Sequence, residues 1–312
     1  MVLERKESKM YDLIGDIHGH ADELEAWLKA HGYAASGRGY KHPERTLIFL
    51  GDLIDRGPKI RRVVEIARAM VDSGAAKIIM GNHEFNALCY HTEDSEKQGE
   101  FLRKHNSNHV EQHRETLSAF PNPTEMAEVL SWFYTIPMWL DLPELRAVHA
   151  CWHEESVALL RATFPDAMLR PDVLAECAKK TGMLYGAIEN LLKGPEAKLP
   201  PGFSFNDKYN KVRTNIRVKW CVPADGHTYR SYSFPEQEAA PELPVEGVAL
   251  PGYPEGDKPV FFGHYWLNDS IPAPVTKNCF CLDYSVANQG YLCGYRLGEG
   301  FLVAKDELAH SA

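Results

Sequence analysis

Short apolar runs alternate with helical spacing through the first eighty residues, and each run ends in the same kind of turn. Tyr11–Ile14 predicts a buried strand that runs into Gly15-Asp16. Leu24, Trp27 and Leu28 then recur at helical spacing, with Gly32 as the stop. A second strand, Thr46–Leu50, again runs into Gly-Asp, and Ile60, Val63, Val64, Ala67 and Val71 mark a helix that Gly74 closes. Lys77–Met80 predicts a third strand, followed by Gly81-Asn82. Three strand–loop–helix units of this kind predict a βαβ layout, in which ligands gather at the carboxyl ends of the strands.

Beyond Phe85 the pattern turns helical up to about Thr135, and Leu142–His149 predicts a strand ending in a histidine. Helical spacing returns in Val173–Lys180 and Leu184–Leu192, and Asn210–Trp220 has a β pattern. The stretch Pro223–Pro259 is rich in proline and glycine, which predicts a long ordered loop or flap. Pro259–Phe262 predicts a buried strand leading into Gly263-His264, and Asn278–Val286 with Tyr291–Leu297 predicts a closing hairpin. Without repeats or linkers, the expectation is one domain over 1–312, with an insertion at about 153–258 capping one site.

Composition narrows the classes. Of 312 residues, 44% are hydrophobic and 25% charged, enough for a full core; net charge is −9. With no Lys/Arg block, general nucleic-acid binding is not expected. The charged start Met1–Glu7 does not resemble a secretory signal, and no apolar run has membrane-spanning length. Seven cysteines without a Cys-x-x-Cys pair suit reduced thiols. The expectation is a soluble cytoplasmic protein.

Candidate chemistry lies at the turns. Gly15-Asp16-Ile17-His18-Gly19, Gly51-Asp52-Leu53-Ile54-Asp55-Arg56-Gly57, Gly81-Asn82-His83-Glu84, Val148-His149 and Gly263-His264 supply oxygen and nitrogen donors suited to Mn²⁺, Fe²⁺ or Zn²⁺. Two such ions side by side can turn water into a nucleophile at neutral pH.

In letters, order and approximate spacing these segments resemble the bacterial branch of the phosphoprotein-phosphatase family of calcineurin-like metallophosphoesterases, relatives of serine/threonine protein phosphatases and diadenosine-tetraphosphate hydrolases. The resemblance implies an α/β (α+β) fold, an αββα sandwich of two mixed sheets with flanking helices. It implies two divalent metal ions, Mn²⁺ first with Fe or Zn as alternatives: Asp16 and His18 on one, Asp52 bridging, and Asn82, His149 and His264 on the other. His83 and Asp55 match the family's proton-transfer pair, and Arg56 its phosphate-binding arginine; Asn82 would also touch phosphate. Arg217 is the choice for a second phosphate clamp, with Arg213 behind it.

The implied reaction is in-line attack of a metal-bridging hydroxide with His83 as general acid. The substrate signals are split. Asp55 is the protein-phosphatase form and favours phosphomonoesters, including phosphoserine/threonine proteins or peptides. Ala150 after His149, Phe262-Gly263-His264-Tyr265-Trp266 and Leu282-Asp283 look like the dinucleotide hydrolases, making a bis(5'-nucleosyl)-tetraphosphatase the alternative. A non-catalytic phosphate-binding scaffold ranks last, since no ligand is eroded. His105, His109 and His113 recur every four residues, which predicts one solvated helical face. Tyr229, Tyr232 and Phe234 fit either a packed flap or a surface for a nucleotide base, and Cys151 raises the prospect of oxidation beside a ligand.

Overall fold

The computed structural model describes residues 10–206, 211–248 and 250–304. The segment Met1–Glu7 and residue Asn210, on which expectations were placed, lie outside the described residues. Two mixed sheets form the centre. The first has five strands in the order Gly300–Val303, Cys293–Arg296, Met10–Ile14, Arg45–Phe49 and Ala76–Ile78. Its last three strands run parallel, as the alternation predicted, and Cys293–Arg296 runs antiparallel to both its neighbours. The second sheet has four strands in the order Cys279–Cys281, Val260–Phe262, Arg146–Val148 and Trp139–Asp141.

Aromatic rings join the sheets. Tyr295 of the first packs 4.7 Å from Phe280 and 5.0 Å from Phe261 of the second. The helix Ile60–Asp72 buries Ile60, Val63, Val64, Ala67 and Met70, one stripe at helical spacing. With the helices outside, this is the αββα arrangement that the motifs implied.

Two expectations need correction. Cys279–Cys281 and Cys293–Arg296 do not form a hairpin: the first pairs parallel with Val260–Phe262, the second antiparallel with Met10–Ile14. The hairpin partner of Cys293–Arg296 is Gly300–Val303. The chain changes sheets through a short 3₁₀ turn, Val286–Asn288, flanked by left-handed Ser285 and Gln289. A short strand buried on both faces reads the same whichever neighbour it takes. Leu142–His149 is likewise not one strand; only Arg146–Val148 is, paired back on Trp139–Asp141.

Within the expected insertion, Ala197, Leu199, Ile216, Val218, Tyr229 and Tyr232 form a small apolar core of their own. Tyr229 and Tyr232 are therefore packed rather than presented, and Phe234 rests 4.8 Å from the Tyr265 ring. No flat face remains on them for a nucleotide base. Among the described residues no helix is long and apolar enough to cross a membrane.

Candidate metal centre and its proton donor

Every donor that the sequence singled out emerges at the carboxyl end of a parallel strand. Asp16 follows Met10–Ile14, Asp52 follows Arg45–Phe49, and Asn82 opens the helix after Ala76–Ile78. From the second sheet, His149 follows Arg146–Val148 and His264 follows Val260–Phe262. The carboxyl ends of the two sets of strands come together, so residues 248 positions apart meet: the His264 N–H reaches Asp16 Oδ2 at 3.2 Å.

The turns are tight and conformationally costly. His18, Asp52, Asp55, Arg56, His264 and Trp266 all have positive φ, a region that non-glycine residues occupy at a cost of about 1–3 kcal/mol each. Two glycines make room. A Cβ on Gly263 would sit 2.0 Å from Asp16 Oδ1, and one on Gly81 would sit 2.2 Å from Asp52 Oδ1.

The donor set fits divalent cations. Asp52, His149 and His264 offer ligand atoms all within 4.8 Å of one another, as do His18, Asp52 and His83. Asn82 Oδ1 lies 3.1 Å from His149 Nε2 and 2.7 Å from His264 Nδ1. His18 and His149 donate their Nδ1–H to the carbonyls of Ile54 and Leu50, at 2.8 and 2.7 Å, which turns each Nε2 inward. Each Nε2 lies 3.4 Å from Asp52 Oδ2, and His18 Nε2 and His264 Nε2 are buried without a hydrogen-bond partner. Imidazole nitrogens converging on a carboxylate oxygen suit a cation held between them.

The electrostatics agree. Burial, then the charges of Asp283 and Asp52, push the Asp16 carboxyl well above its usual range. Burial holds His18 and His264 as neutral rings, the form that ligates. His149 differs: burial alone would lower it, but Asp52 and Asp16 raise it to about 10, so a proton serves there where an ion would otherwise neutralise the carboxylates.

His83 sits beside this cluster, its Nδ1–H donated to Asp55 Oδ2 at 2.5 Å. Burial would raise the Asp55 carboxyl, but hydrogen bonds from His113 and His83 hold it well below the usual carboxylate range. Arg56 sits over the Trp266 ring, its guanidinium carbon 4.0 Å from the centroid, with Nη2 3.4 Å from His83 Nε2. Arg217, on the strand Asn215–Arg217, donates to the His264 carbonyl at 3.0 Å. Arg213 is on the exposed strand Val212–Arg213.

Several residues escaped the sequence reading. Glu84 accepts the N–H groups of Gly81, Asp52 and Leu53, each at 2.9 Å, and so ties two donor turns together; burial and Asp52 push it up to about 7. Its signal was the last letter of Gly-Asn-His-Glu. Asp283 accepts Trp266 N–H at 2.8 Å and fixes the turn beyond His264. His113 overturns the expectation of a solvated face: it is 5% exposed and donates to Asp55 Oδ1 at 2.8 Å. His105 precedes the helix Ser107–Ala119 and stacks on Tyr90 instead. Cys151 is sealed, 1% exposed, with burial raising its thiol well above the ordinary value, so oxidation beside His149 is not favoured.

Residues 11–157 match the family model for calcineurin-like phosphoesterases, and the chain carries a calcineurin-like metallophosphoesterase domain. It is a hydrolase of phosphoester or phosphoanhydride bonds. The symmetrical bis(5'-nucleosyl)-tetraphosphatase of Vibrio campbellii is 26% identical over 278 residues, covering 87% of this chain and 89% of that protein. The asymmetrical bis(5'-nucleosyl)-tetraphosphatase PrpE of Bacillus subtilis is 42% identical over 74 residues, but that match spans 23% of this chain and 30% of PrpE. A solved protein serine/threonine phosphatase from Saccharomyces cerevisiae aligns over 90% of this chain and 68% of its own, at 12% identity and a TM-score of 0.43.

Proposed function

We propose that this chain hydrolyses bis(5'-nucleosyl) tetraphosphates, cleaving one phosphoanhydride bond. The observation that carries this reading is the reach of the similarity to the Vibrio campbellii enzyme, which continues past the donor turns along 87% of the chain. Asp16 and His18 would hold one divalent ion and Asn82, His149 and His264 the other, with Asp52 shared. Bound there, the ions (Mn²⁺ ahead of Fe²⁺ or Zn²⁺) supply positive charge against the phosphoryl group and bring the pKa of water towards neutrality. Arg56, its guanidinium packed over Trp266, offers its planar fork to phosphate oxygens, and Arg217 assists from the insertion. His83 protonates the leaving oxygen while Asp55 fixes its tautomer.

One feature favours a second reading, hydrolysis of phosphomonoesters such as phosphoserine or phosphothreonine. A proton donor backed by a carboxylate matters most for a poor leaving group such as an alkoxide, and Asp55 is in place. The test compares kcat/KM of the Mn²⁺-loaded protein on diadenosine tetraphosphate and on a phosphoserine/threonine peptide panel. A large excess for the dinucleotide is expected; a large excess for the peptides would replace the first reading with the second. Products decide the bond: two ADP mean symmetrical cleavage, ATP with AMP asymmetrical.

A further inference from the structure

The Asp55 carboxylate is gripped from both sides. Oδ2 takes the His83 Nδ1–H, while Oδ1 takes the Thr116 hydroxyl at 2.5 Å and the His113 Nδ1–H at 2.8 Å. Thr116 Oγ1 in turn accepts the Asp55 backbone N–H at 3.0 Å. His113 and Thr116 stand three residues apart on the helix Ser107–Ala119, so one helical face holds both the side chain and the backbone of Asp55. That grip falls on a turn in which Asp55 and Arg56 both take left-handed φ, 67° and 69°. A carboxylate only accepts, so the His113 proton is on Nδ1. Its Nε2 then meets His91 Nε2 at 3.2 Å, with one proton between the two rings. His91 ends the same helix, Asn82–His91, that begins beside His83, so His113 is braced by the element it helps to align.

We propose that His113 and Thr116 are positioning residues for proton donation by His83. By occupying Oδ1 they leave Oδ2 to His83 alone, and so fix the direction in which His83 Nε2 points. The inference rests on the reading of His83 as the group that protonates the leaving oxygen. In that step a P–O bond forms to the oxygen of hydroxide, the water having already given its proton to solvent, and the P–O bond to the leaving oxygen breaks. The departing electron pair takes the Nε2 proton, and Asp55 gains none. The two helix residues act through Asp55 and touch no substrate.

The experiment uses the full chain loaded with Mn²⁺ and two monoesters, phenyl phosphate (poor leaving group) and p-nitrophenyl phosphate (good). His83→Ala comes first: if it leaves phenyl phosphate hydrolysis unchanged, the acid reading itself fails. If it slows that substrate, His113→Ala is expected to lower kcat on phenyl phosphate by about 10–100-fold, part of the ~10²–10⁴ that general acid help contributes. On p-nitrophenyl phosphate the loss stays within about 3-fold, with KM little changed. His113→Asn, whose amide N–H sits near the Nδ1 position, recovers most of the rate. In the His83→Ala background, His113→Ala has no further effect. Equal losses on both esters, an undiminished loss without His83, or wild-type behaviour of His113→Ala on phenyl phosphate would each overturn the proposal. Should His113→Ala fail to fold, Thr116→Val removes the other Oδ1 donor at constant shape and carries the same comparison.

Discussion

The strand Met10–Ile14 has a buried carboxylate within it and another just past its end, and the two are met by opposite means. Asp12 is fully buried, and guanidinium groups close on it: Arg45 Nη1 at 3.2 Å, Arg296 Nε at 3.0 Å and Arg296 Nη2 at 2.9 Å, with the Tyr33 hydroxyl at 3.1 Å. Asp16, 3% exposed, receives the His264 backbone N–H and otherwise faces Asp52, Asp283 and imidazoles. At Asp12 the protein supplies its own countercharge. At Asp16, carboxylates and imidazole nitrogens converge, an arrangement that would suit a cation from outside. Burial alone does not tell a carboxylate with its own countercharge from one without; the company it keeps does.

The largest effect should come from neutralising one carboxylate in each setting. Asp52→Asn keeps shape but removes the charge shared by both donor groups, and is expected to lower kcat on the order of 10³-fold with loss of bound metal by elemental analysis. Asp12→Asn should instead lower stability by about 3–5 kcal/mol, because two guanidinium groups lose their carboxylate, while metal content and kcat/KM stay near wild type. If Asp12→Asn lost metal, or Asp52→Asn kept its activity, the contrast would be broken.

A smaller effect sharpens it through a change of sign. Burial and two neighbouring carboxylates disfavour ionised Asp16, so in chelator-stripped protein Asp16→Asn should raise the melting temperature. In Mn²⁺-loaded protein the same substitution should lower it, because ion binding to the folded state no longer adds its stabilisation. The same sign in both conditions would argue against a cation at Asp16.

The smallest effect is a pH dependence belonging to neither setting. His91 is lowered to about 4 by burial and by the nearby His113 and His105. Its folded-state pKa lies below the ordinary value near 6.5, so the unfolded chain takes up a proton first as pH falls. The stability from a neutral His91 is present above about 6.5 and lost as pH drops towards 4. His91→Gln should flatten melting temperature against pH over that window; an unchanged slope would assign the loss to other groups.

Much of the centre was legible because each part is local. A strand, a glycine and a donor within about five residues mark the carboxyl end of a strand, and parallel strands bring those ends to one side. The same locality hid the rest. Nothing near Asp55 in sequence announces His113, 58 residues away, and a spacing of four suggested a solvated face where Asp55 buries one ring. The apolar run at Cys279–Cys281 gave a strand but not its neighbour, since either sheet would bury it equally.

The sequence by itself determined the donor types, their order, and the strands and turns that aim them, because backbone sterics and side-chain period act over a few residues. Only the tertiary structure decided which buried carboxylate meets arginines and which meets imidazoles. It also set which helix grips Asp55 and which sheet takes each late strand. Those outcomes depend on distances between segments far apart in the chain, and charge pairing and packing are set by distance in space.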